Sequence, residues 1–244
     1  MTLLGYGLAV LIGVSLGLLG GGGAILTVPV LVYVMGVGVK QAVPTSLVIV
    51  GLTSLLGMLR HRAAGTVDAR AAISFGPAAI LGSLIGTRAA LLVSPRLQLT
   101  VFAAVLLAAA VMMLRRRPEP LHPARRRSLM LIVLIGSGVG FLTGFVGVGG
   151  GFLYVPALAL IAGLEMKTAV GTSLALITLS SAAGVAGYLG QVHLDWRLVG
   201  GFTALALVGV QIGSALVPRV PQDRLRRGFA ILLVVMGVLV LLKR

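Results

Sequence analysis

Long runs of apolar residues fill most of the chain, and short polar breaks separate them. A helix needs roughly 17–25 apolar residues to cross the hydrocarbon core of a bilayer. Six runs have that length: Ala42–Leu59, Ala72–Val93, Leu97–Leu114, Thr168–Leu189, Leu198–Val217 and Leu225–Leu242. Two longer runs, Leu3–Gly36 and Ser128–Gly163, open the two halves of the chain. The runs lack the two-residue alternation of a membrane barrel, so the pattern predicts an all-α integral membrane protein with eight hydrophobic blocks.

The two longer runs exceed one crossing. As a single helix, Leu3–Gly36 would measure about 51 Å, whereas a helix tilted by about 40° crosses a core of about 30 Å in roughly 39 Å. Four glycines, Gly20–Gly23, interrupt this run, and glycine weakens helices. We therefore predict a glycine-broken helical hairpin with two legs of roughly 20 Å or a little more each. The legs are either two short crossings or a re-entrant hairpin, which gives the whole chain up to ten helical segments.

The second half of the chain repeats the first at a constant spacing of 127 residues. The repeated positions are Gly13/Gly140, Gly17/Gly144, Gly20/Gly147, Pro29/Pro156, Lys40/Lys167, Thr45/Thr172, Ser46/Ser173, Gly82/Gly209 and Gly86/Gly213. They predict two homologous transmembrane repeats, 1–114 and 128–244, joined by the arginine- and proline-rich linker 115–127. Duplicated membrane halves are typical of transporters, with the substrate near the midplane between the repeats.

Arginine placement predicts how the two halves are oriented. The linker 115–127 carries six arginines and is expected on the cytoplasmic side. An odd number of crossings per half inverts the second half. Inversion puts the arginine-rich breaks 60–70 and 218–227 inside and the arginine-poor breaks 94–96 and 191–197 outside. A parallel arrangement instead places Lys243-Arg244 inside but the four arginines of 218–227 outside. We expect inverted repeats in a multi-pass protein of the cell membrane.

Composition supports this class and excludes others. Hydrophobic residues make up 58% of the chain and charged residues 10%, against roughly a quarter charged in soluble domains. The net charge of +15 does not indicate nucleic-acid binding, because the basic residues lie mostly in the breaks between runs. The chain has no cysteine for a disulfide or a thiolate metal site, and no metal or cofactor is expected. The first run lacks the features of a cleaved signal peptide, so we expect it to be retained.

The glycine breaks are the first candidate binding site. A helix that restarts after such a break has unpaired N–H groups and the positive end of its dipole at its first turn, which together bind anions. Glycine also allows a ligand to approach the backbone closely. The candidate residues are Gly20, Gly21, Gly22, Gly23, Gly147, Gly149, Gly150 and Gly151. The glycines spaced by four, Gly13/Gly17 and Gly82/Gly86 with their repeats, instead predict close helix packing.

Polar residues within or near the runs are the second set of candidates. Hydroxyls of Thr45, Ser46, Thr172 and Ser173 are able to donate to an anion, or to cap a helix or bond the preceding turn. Gln211 is the only amide deep in a run and is expected at the site or against another helix. Lys40, Lys167 and Arg88 are candidates for gating or charge, or else snorkel to the interface. His61, Asp68, His193 and Asp195 are either a proton relay or solvated loop residues and helix caps.

These motifs carry a family resemblance. The pattern GLLGGGGAILTVPVL…K-x-A-V-P-T-S-L, echoed by GFVGVGGGFLYVPAL…K-T-A-V-G-T-S-L, resembles the TauE/SafE family of membrane permeases. The resemblance covers nearly the whole chain and implies transport of sulfite, organosulfonates or related anions, with about seven or eight spans from an internal duplication. The second repeat differs from the first at two motif positions: it has Gly171 where the first has Pro44, and Val148 interrupts its glycine run. We therefore expect the two repeats to contribute unequally to the site.

We therefore expect a secondary transporter for a small sulfur-containing anion, not an enzyme. The nucleotide-binding pattern G-x-x-x-x-G-K-[ST] is absent, so a gradient, most simply of protons, would supply the energy. An anion channel is the alternative within transport. An intramembrane enzyme that uses His61, Asp68, His193 and Asp195 is the alternative from another class. The expected partners are the anion and the lipid bilayer, and a homo-oligomer is compatible with the sequence.

Overall fold

The computed structural model describes residues 2–90, 92–115, 129–146, 151–188 and 194–242. Within these ranges the protein is all-helical, as predicted. The ten α-helices are α1 (Thr2–Leu19), α2 (Gly22–Pro29), α3 (Val39–Ala63), α4 (Ala69–Ala90), α5 (Pro95–Arg115), α6 (Leu129–Val146), α7 (Gly151–Pro156), α8 (Met166–Tyr188), α9 (Trp196–Leu216) and α10 (Gln222–Leu242). Turns of π-helix follow α2 (Val30–Val34) and α7 (Ala157–Ile161), and a 3-10 turn (Val217–Arg219) follows α9.

Among the described residues, five helices are long and apolar enough to cross a membrane. They contain the stretches Gln41–Ala63, Ala69–Gly86, Met166–Ala186, Trp196–Arg219 and Gln222–Leu242. These correspond to five of the six predicted spans. The sixth, Leu97–Leu114, lies within α5, where the described apolar stretch is Thr100–Arg115.

The first long run folds back at the glycines, as predicted. Gly20 follows α1 with φ of 73°, the left-handed conformation that glycine adopts readily and that commonly ends helices. A methyl group on Gly23 would lie 2.5 Å from the Ile12 carbonyl oxygen, and one on Gly5 would lie 2.7 Å from Met35 Cγ. The second leg therefore returns along α1 to the level of its first turns.

The legs of this hairpin are unequal, which corrects the prediction of two similar legs. α1 has 18 residues and measures about 27 Å. α2 and its π turn, with 8 and 5 residues, measure about 20 Å together. The π turn follows Pro29, which has no N–H for the helical ladder and so favours a local change of helix geometry. In the second half of the chain, a π turn likewise follows a proline, Pro156.

Glycine stripes bring helices of the two halves into close contact. On α1, a methyl group at Gly13 would collide with the Ala206 carbonyl oxygen of α9, and at Gly17 it would lie 2.5 Å from that of Val210. The residue numbers rise together, so α1 and α9 run parallel. α4 and α6 make the corresponding contact. The predicted packing role is confirmed for seven of the eight spaced glycines: Gly13, Gly17, Gly82, Gly86, Gly140, Gly209 and Gly213.

The helices α3 and α8 cross in opposite directions. A methyl group on Gly51 would lie 3.1 Å from Ser181 Cβ, and one on Gly57 would lie 3.0 Å from Leu174 Cδ1. At the other end of the crossing, Gly184 packs against Leu47. As the numbers rise along α3 they fall along α8, so the pair is antiparallel. α3 also packs on α9, and α8 on α4, which places the pair between the two parallel pairs.

A matched pair of glycines on α6 tests this packing. Gly140→Ala should lower the free energy of unfolding by about 1–3 kcal/mol or more, because its methyl group would collide with the Ala79 backbone. Gly138, which has open space beside it, is the control. Gly138→Ala should be neutral or stabilise by up to about 1 kcal/mol, since alanine favours helix. Thermal unfolding of purified protein in detergent measures both, and equal effects would contradict the packing.

Candidate functional site

The two glycine breaks meet inside the protein. A methyl group on Gly21 would collide with the Gly151 carbonyl oxygen and lie 2.5 Å from the Phe152 nitrogen. The residues Gly20–Gly23 and Gly151 are all buried. Broken backbone at membrane depth is tolerated only where protein or a watery cavity covers it. Here each break covers part of the other, and we call this contact the glycine junction. The predicted site residues Gly147, Gly149 and Gly150 lie outside the described residues.

Two short helices, α2 and α7, lie side by side at the glycine junction. The Ala24 N–H donates to the Gly21 carbonyl oxygen at 3.2 Å, and the N–H groups of Gly22 and Gly23 precede the first intrahelical acceptors, as at any helix start. α2 and α7 continue through their π turns as the helical stretches Gly22–Val34 and Gly151–Ile161. The start of α2 therefore directs backbone donors and the positive end of its dipole to the junction.

The second predicted set, the Thr-Ser pairs, lies within helices and not at their starts. α3 and α8 begin six residues before Thr45 and Thr172, so these residues are not caps. The hydroxyls of Ser46 and Ser173 donate to carbonyl oxygens three residues earlier, both at 2.7 Å. Back-bonding to the helix, one of the predicted alternatives, is therefore what the two serines do in this structure.

One Thr-Ser pair contacts a glycine break of the other half. A methyl group on Gly20 would lie 2.6 Å from Ser173 Oγ and 3.3 Å from the Val170 carbonyl oxygen. The structure thus brings together two predicted site residues, Gly20 and Ser173, that lie in different halves of the chain. The sequence repeat does not indicate this exchange, because it relates Gly20 only to Gly147.

The loop after α3 docks on α8. The Asp68 N–H donates to Thr172 Oγ1 at 3.0 Å, and Gly171 lies against the Thr66 carbonyl oxygen, where a methyl group would collide. The Asp68 carboxylate accepts from the Ala71 N–H at 3.0 Å and so caps α4. Asp195 caps α9 in the same way. The interpretation of these two aspartates as helix caps is confirmed.

His61 joins this loop to α1. The side chain is only 3% exposed, and Nε2 lies 3.3 Å from the Gly17 carbonyl oxygen. Because a carbonyl oxygen only accepts, Nε2 is the donor. Nδ1 lies 2.8 Å from Thr66 Oγ1. His193, the other histidine of the predicted relay, lies outside the described residues. Across the part of the chain that the structure describes, no group of three or more His, Asp or Glu side chains is placed to hold a metal ion.

A cavity of about 210 Å³ opens where the end of α3, the start of α8 and the end of α9 meet. The residues that line it are Arg60, His61, Ala64, Thr66, Lys167, Ser214, Val217 and Pro218. We call it the Lys167 cavity, since Lys167 Nζ donates to the Pro218 carbonyl oxygen at 3.0 Å across its rim. Sequence reasoning singled out Lys167 and His61 but missed Arg60, Thr66 and Ser214, which only the directions of the helices bring together.

The remaining candidates differ in burial. Gln211 is half-buried on α9, and its spacing of two residues from Gly209 and Gly213 puts it about 160° around the helix from the face that packs on α1. Arg88 is exposed on α4, as expected for a side chain that snorkels. The side chain of Lys40 lies outside the described residues. Thr45 is buried in α3.

Two further polar residues escaped sequence reasoning. The hydroxyls of Ser54 and Ser181 are buried without a hydrogen-bond partner among the described residues. Buried polar atoms in folded proteins normally have partners, so each is an unusual feature of α3 and α8. The signal that could have found them is the repeat itself, because the two serines are 127 residues apart.

Comparison with known proteins completes this description. The family model described as "Sulfite exporter TauE/SafE" matches residues 6–240. The chain belongs to the TauE/SafE family. The resemblance carried by the two glycine and Thr-Ser motifs is thereby confirmed over nearly the whole length of the protein.

Relatives of this TauE/SafE protein carry transporter names. A "probable membrane transporter protein" of Xylella fastidiosa (strain 9a5c) is 30% identical over 238 residues, which is 95% of this chain and 91% of the relative. Relatives with corresponding names occur in Methanocaldococcus jannaschii (28% identical, 96% and 95% covered) and in Bacillus subtilis (23% identical, 95% and 96% covered). No solved structure matches the chain. The names describe transport and not catalysis, which agrees with the expectation that this TauE/SafE protein is not an enzyme.

The bond between the α3 loop and α8 gives a testable prediction. Thr172→Val removes the oxygen that accepts from the Asp68 N–H and should lower the free energy of unfolding by about 1–2 kcal/mol. Thr172→Ser keeps the acceptor and should restore most of the loss. Thermal unfolding of the purified variants provides the measurement. Valine and serine variants of equal stability would show that this bond does not hold the loop.

Proposed function

We propose that this protein is a secondary transporter that binds a small sulfur-containing oxyanion, such as sulfite or an organosulfonate, at the glycine junction between its two halves. The observation that carries the proposal is the contact between Gly21 and Gly151 at the starts of α2 and α7. The family model is described as a sulfite exporter, and the relatives are named as membrane transporters.

The chemistry of the junction favours an anion. Backbone N–H groups at a helix start donate to several oxygen atoms at once, and the helix dipole adds a partial positive charge. Such a site needs no charged side chain, which avoids the cost of a bare cation in the membrane. In this proposal, Ser173 Oγ lies beside Gly20 and turns from its carbonyl acceptor to the anion. Ser46, Thr45, Thr172 and Gln211 remain proposed contributors from the equivalent or neighbouring positions.

We also propose that the halves, 1–114 and 128–244, are inverted repeats. Helix boundaries support a duplication, since α3 and α8 begin 127 residues apart, as do α5 and α10. The two members of the α3–α8 pair therefore occupy equivalent places in the two halves. They nevertheless run antiparallel, which supports a two-fold relation in the membrane plane. A parallel duplication would make equivalent helices run in the same direction.

The Lys167 cavity supports the proposed orientation. Arg60 and Pro218 both line it, so the arginine-rich breaks 60–70 and 218–227 lie at one end of the molecule, as inversion requires. Under the positive-inside rule this end is cytoplasmic, together with the linker 115–127. The protein would then lie in the cell membrane with the repeats rocking about the junction to alternate access. A gradient, most simply of protons, would drive the cycle.

Two rival functions remain distinguishable by experiment. A channel conducts without a counter-transported anion, whereas a carrier is stimulated by substrate on the opposite side, so a counterflow assay in proteoliposomes separates them. An enzyme would need catalytic groups within hydrogen-bond reach of each other. Of the proposed relay, Asp68 and Asp195 cap helices, and this favours transport.

The donor role of the junction can be tested at Gly22. A methyl group there would point at Leu232 Cδ2, 2.6 Å away on α10, where the end of a flexible side chain is able to move. Gly22→Ala therefore keeps the N–H and measures the effect of the added methyl group alone. Gly22→Pro adds a carbon at the same place together with two further ring carbons and removes the N–H, and proline is tolerated at the first position of a helix.

The expected result is weaker anion binding by the proline variant. Its dissociation constant for radiolabelled sulfite should exceed that of Gly22→Ala by about tenfold or more, the scale of one lost hydrogen bond to a charge. Gly7→Ala, which has open space beside it, controls for a substitution elsewhere in the hairpin. Thermal unfolding checks that the variants fold. If the proline and alanine variants bind sulfite with the same affinity, the anion does not bind at this helix start.

A further inference from the structure

The Lys167 cavity is separate from the glycine junction and has the size of a small-ion site. Its volume is about 210 Å³, below the roughly 300–1,000 Å³ of pockets that hold drug-sized molecules. Helix ends and a loop from both halves form its wall, and the 3-10 turn Val217–Arg219 closes one side. Such a space suits a small ion with its hydration water.

The charge of this cavity is positive. Arg60 and Lys167 line it, and no carboxylate is among the described lining residues. The nearby acidic side chains have other partners. Glu165 accepts from Gln222 Nε2 at 3.1 Å, and Asp223 pairs with Arg226 at 3.2 Å. An anion that enters the cavity therefore meets cations without a competing carboxylate on its wall.

The cavity also presents donors that the protein does not use. Lys167 Nζ bonds the Pro218 carbonyl oxygen, which orients the ammonium group and leaves two of its three N–H donors. The Ser214 hydroxyl is buried without a hydrogen-bond partner among the described residues. Buried hydroxyls are normally satisfied, and an oxyanion in the cavity would supply the missing acceptor. These are two independent observations that point to an oxygen-rich anion.

The cavity lies beside the last turn of α1, which leads to the glycine junction. His61 lines the cavity and bonds the Gly17 carbonyl oxygen. Gly17 precedes Gly20 by less than one helical turn, and Gly20 lies against Ser173. His61 therefore connects the wall of the cavity to the last turn of α1, which leads into the break at Gly20.

We propose that the Lys167 cavity is a second binding site for a small oxyanion, which captures it from water before it reaches the glycine junction. Arg60 and Lys167 supply charge, and Lys167 and Ser214 donate hydrogen bonds. The role as an entry site rests on the proposed function, whereas binding in the cavity stands on its own geometry.

Lysine labelling locates an anion in this cavity directly. The chain has three lysines, Lys40, Lys167 and Lys243, so acetylation by a small reagent is assigned residue by residue with mass spectrometry. The purified full-length protein is labelled in sodium sulfite under nitrogen or in sodium chloride of equal ionic strength, with Lys243 as the internal reference. At ten times its dissociation constant, sulfite should slow acetylation of Lys167 about tenfold.

Two arginines on one turn of α3 provide matched variants. Arg60 lines the cavity and Arg62 does not, although both are exposed. Arg60→Gln should raise the sulfite concentration that gives half protection by about tenfold, the scale of a lost interaction with a charge. Arg62→Gln should leave it unchanged. Equal protection by chloride, or equal effects of the two variants, would overturn the proposal.

The variant Gly22→Pro distinguishes the two sites. Protection of Lys167 that persists in this variant supports a separate cavity site, whether or not sulfite still binds the junction. If Gly22→Pro abolishes protection together with total sulfite binding, shielding of Lys167 arises from the junction and the second site does not exist. If Lys167 stays protected and total sulfite binding is unchanged in Gly22→Pro, the cavity site is supported. The same result would show that the anion does not bind at the helix start at Gly22.

Discussion

A backbone that breaks inside a membrane must be covered, and the rest of this structure depends on that constraint. Lipid offers no partner to a bare N–H or carbonyl group. Glycine makes the solution possible, because Gly21 and Gly151 have no side chain to keep the two broken segments apart. The short helices α2 and α7 therefore begin in the interior of the protein and beside each other.

The glycine stripes extend the same principle to whole helices. α1 packs on α9 and α4 on α6, so each half supplies the partner that the other half lacks. The antiparallel α3–α8 pair lies between them. This exchange explains why the notable contacts cross between halves, as with Gly20 and Ser173. The antiparallel crossing also brings the end of α3 close to the start of α8. Arg60 and Lys167 therefore lie together at one end of the protein and give it positive charge.

Much of this architecture is predictable from the sequence because its causes are local. Run length and Gly20–Gly23 predict the hairpin, spaced glycines predict close packing, and the repeated motif predicts the family. The unequal legs were missed, because the second leg ends early in the π turn after Pro29. For the Thr-Ser pairs the sequence leaves helix capping and back-bonding open, because it does not show that α3 and α8 begin six residues before them.

Contacts between the halves were beyond sequence reasoning for a physical reason. A repeat relates Gly20 to Gly147, but the residue that touches Gly20 is set by how the halves pack. The Lys167 cavity needs three segments that are far apart in the chain, and their meeting depends on helix direction. The same holds for Ser54 on α3 and Ser181 on α8, whose hydroxyls are buried without a hydrogen-bond partner among the described residues.

The central claim is that the glycine junction holds an oxyanion, and anomalous diffraction tests it most directly. Selenite has the shape and charge type of sulfite, and crystals grown with selenite would show selenium by its anomalous signal without other selenium in the protein. We expect a selenium peak placed so that the oxygens bound to it lie within hydrogen-bond distance, about 2.7–3.2 Å from oxygen to nitrogen, of the N–H groups at the start of α2. A well-occupied peak elsewhere, with none at the junction, would contradict it.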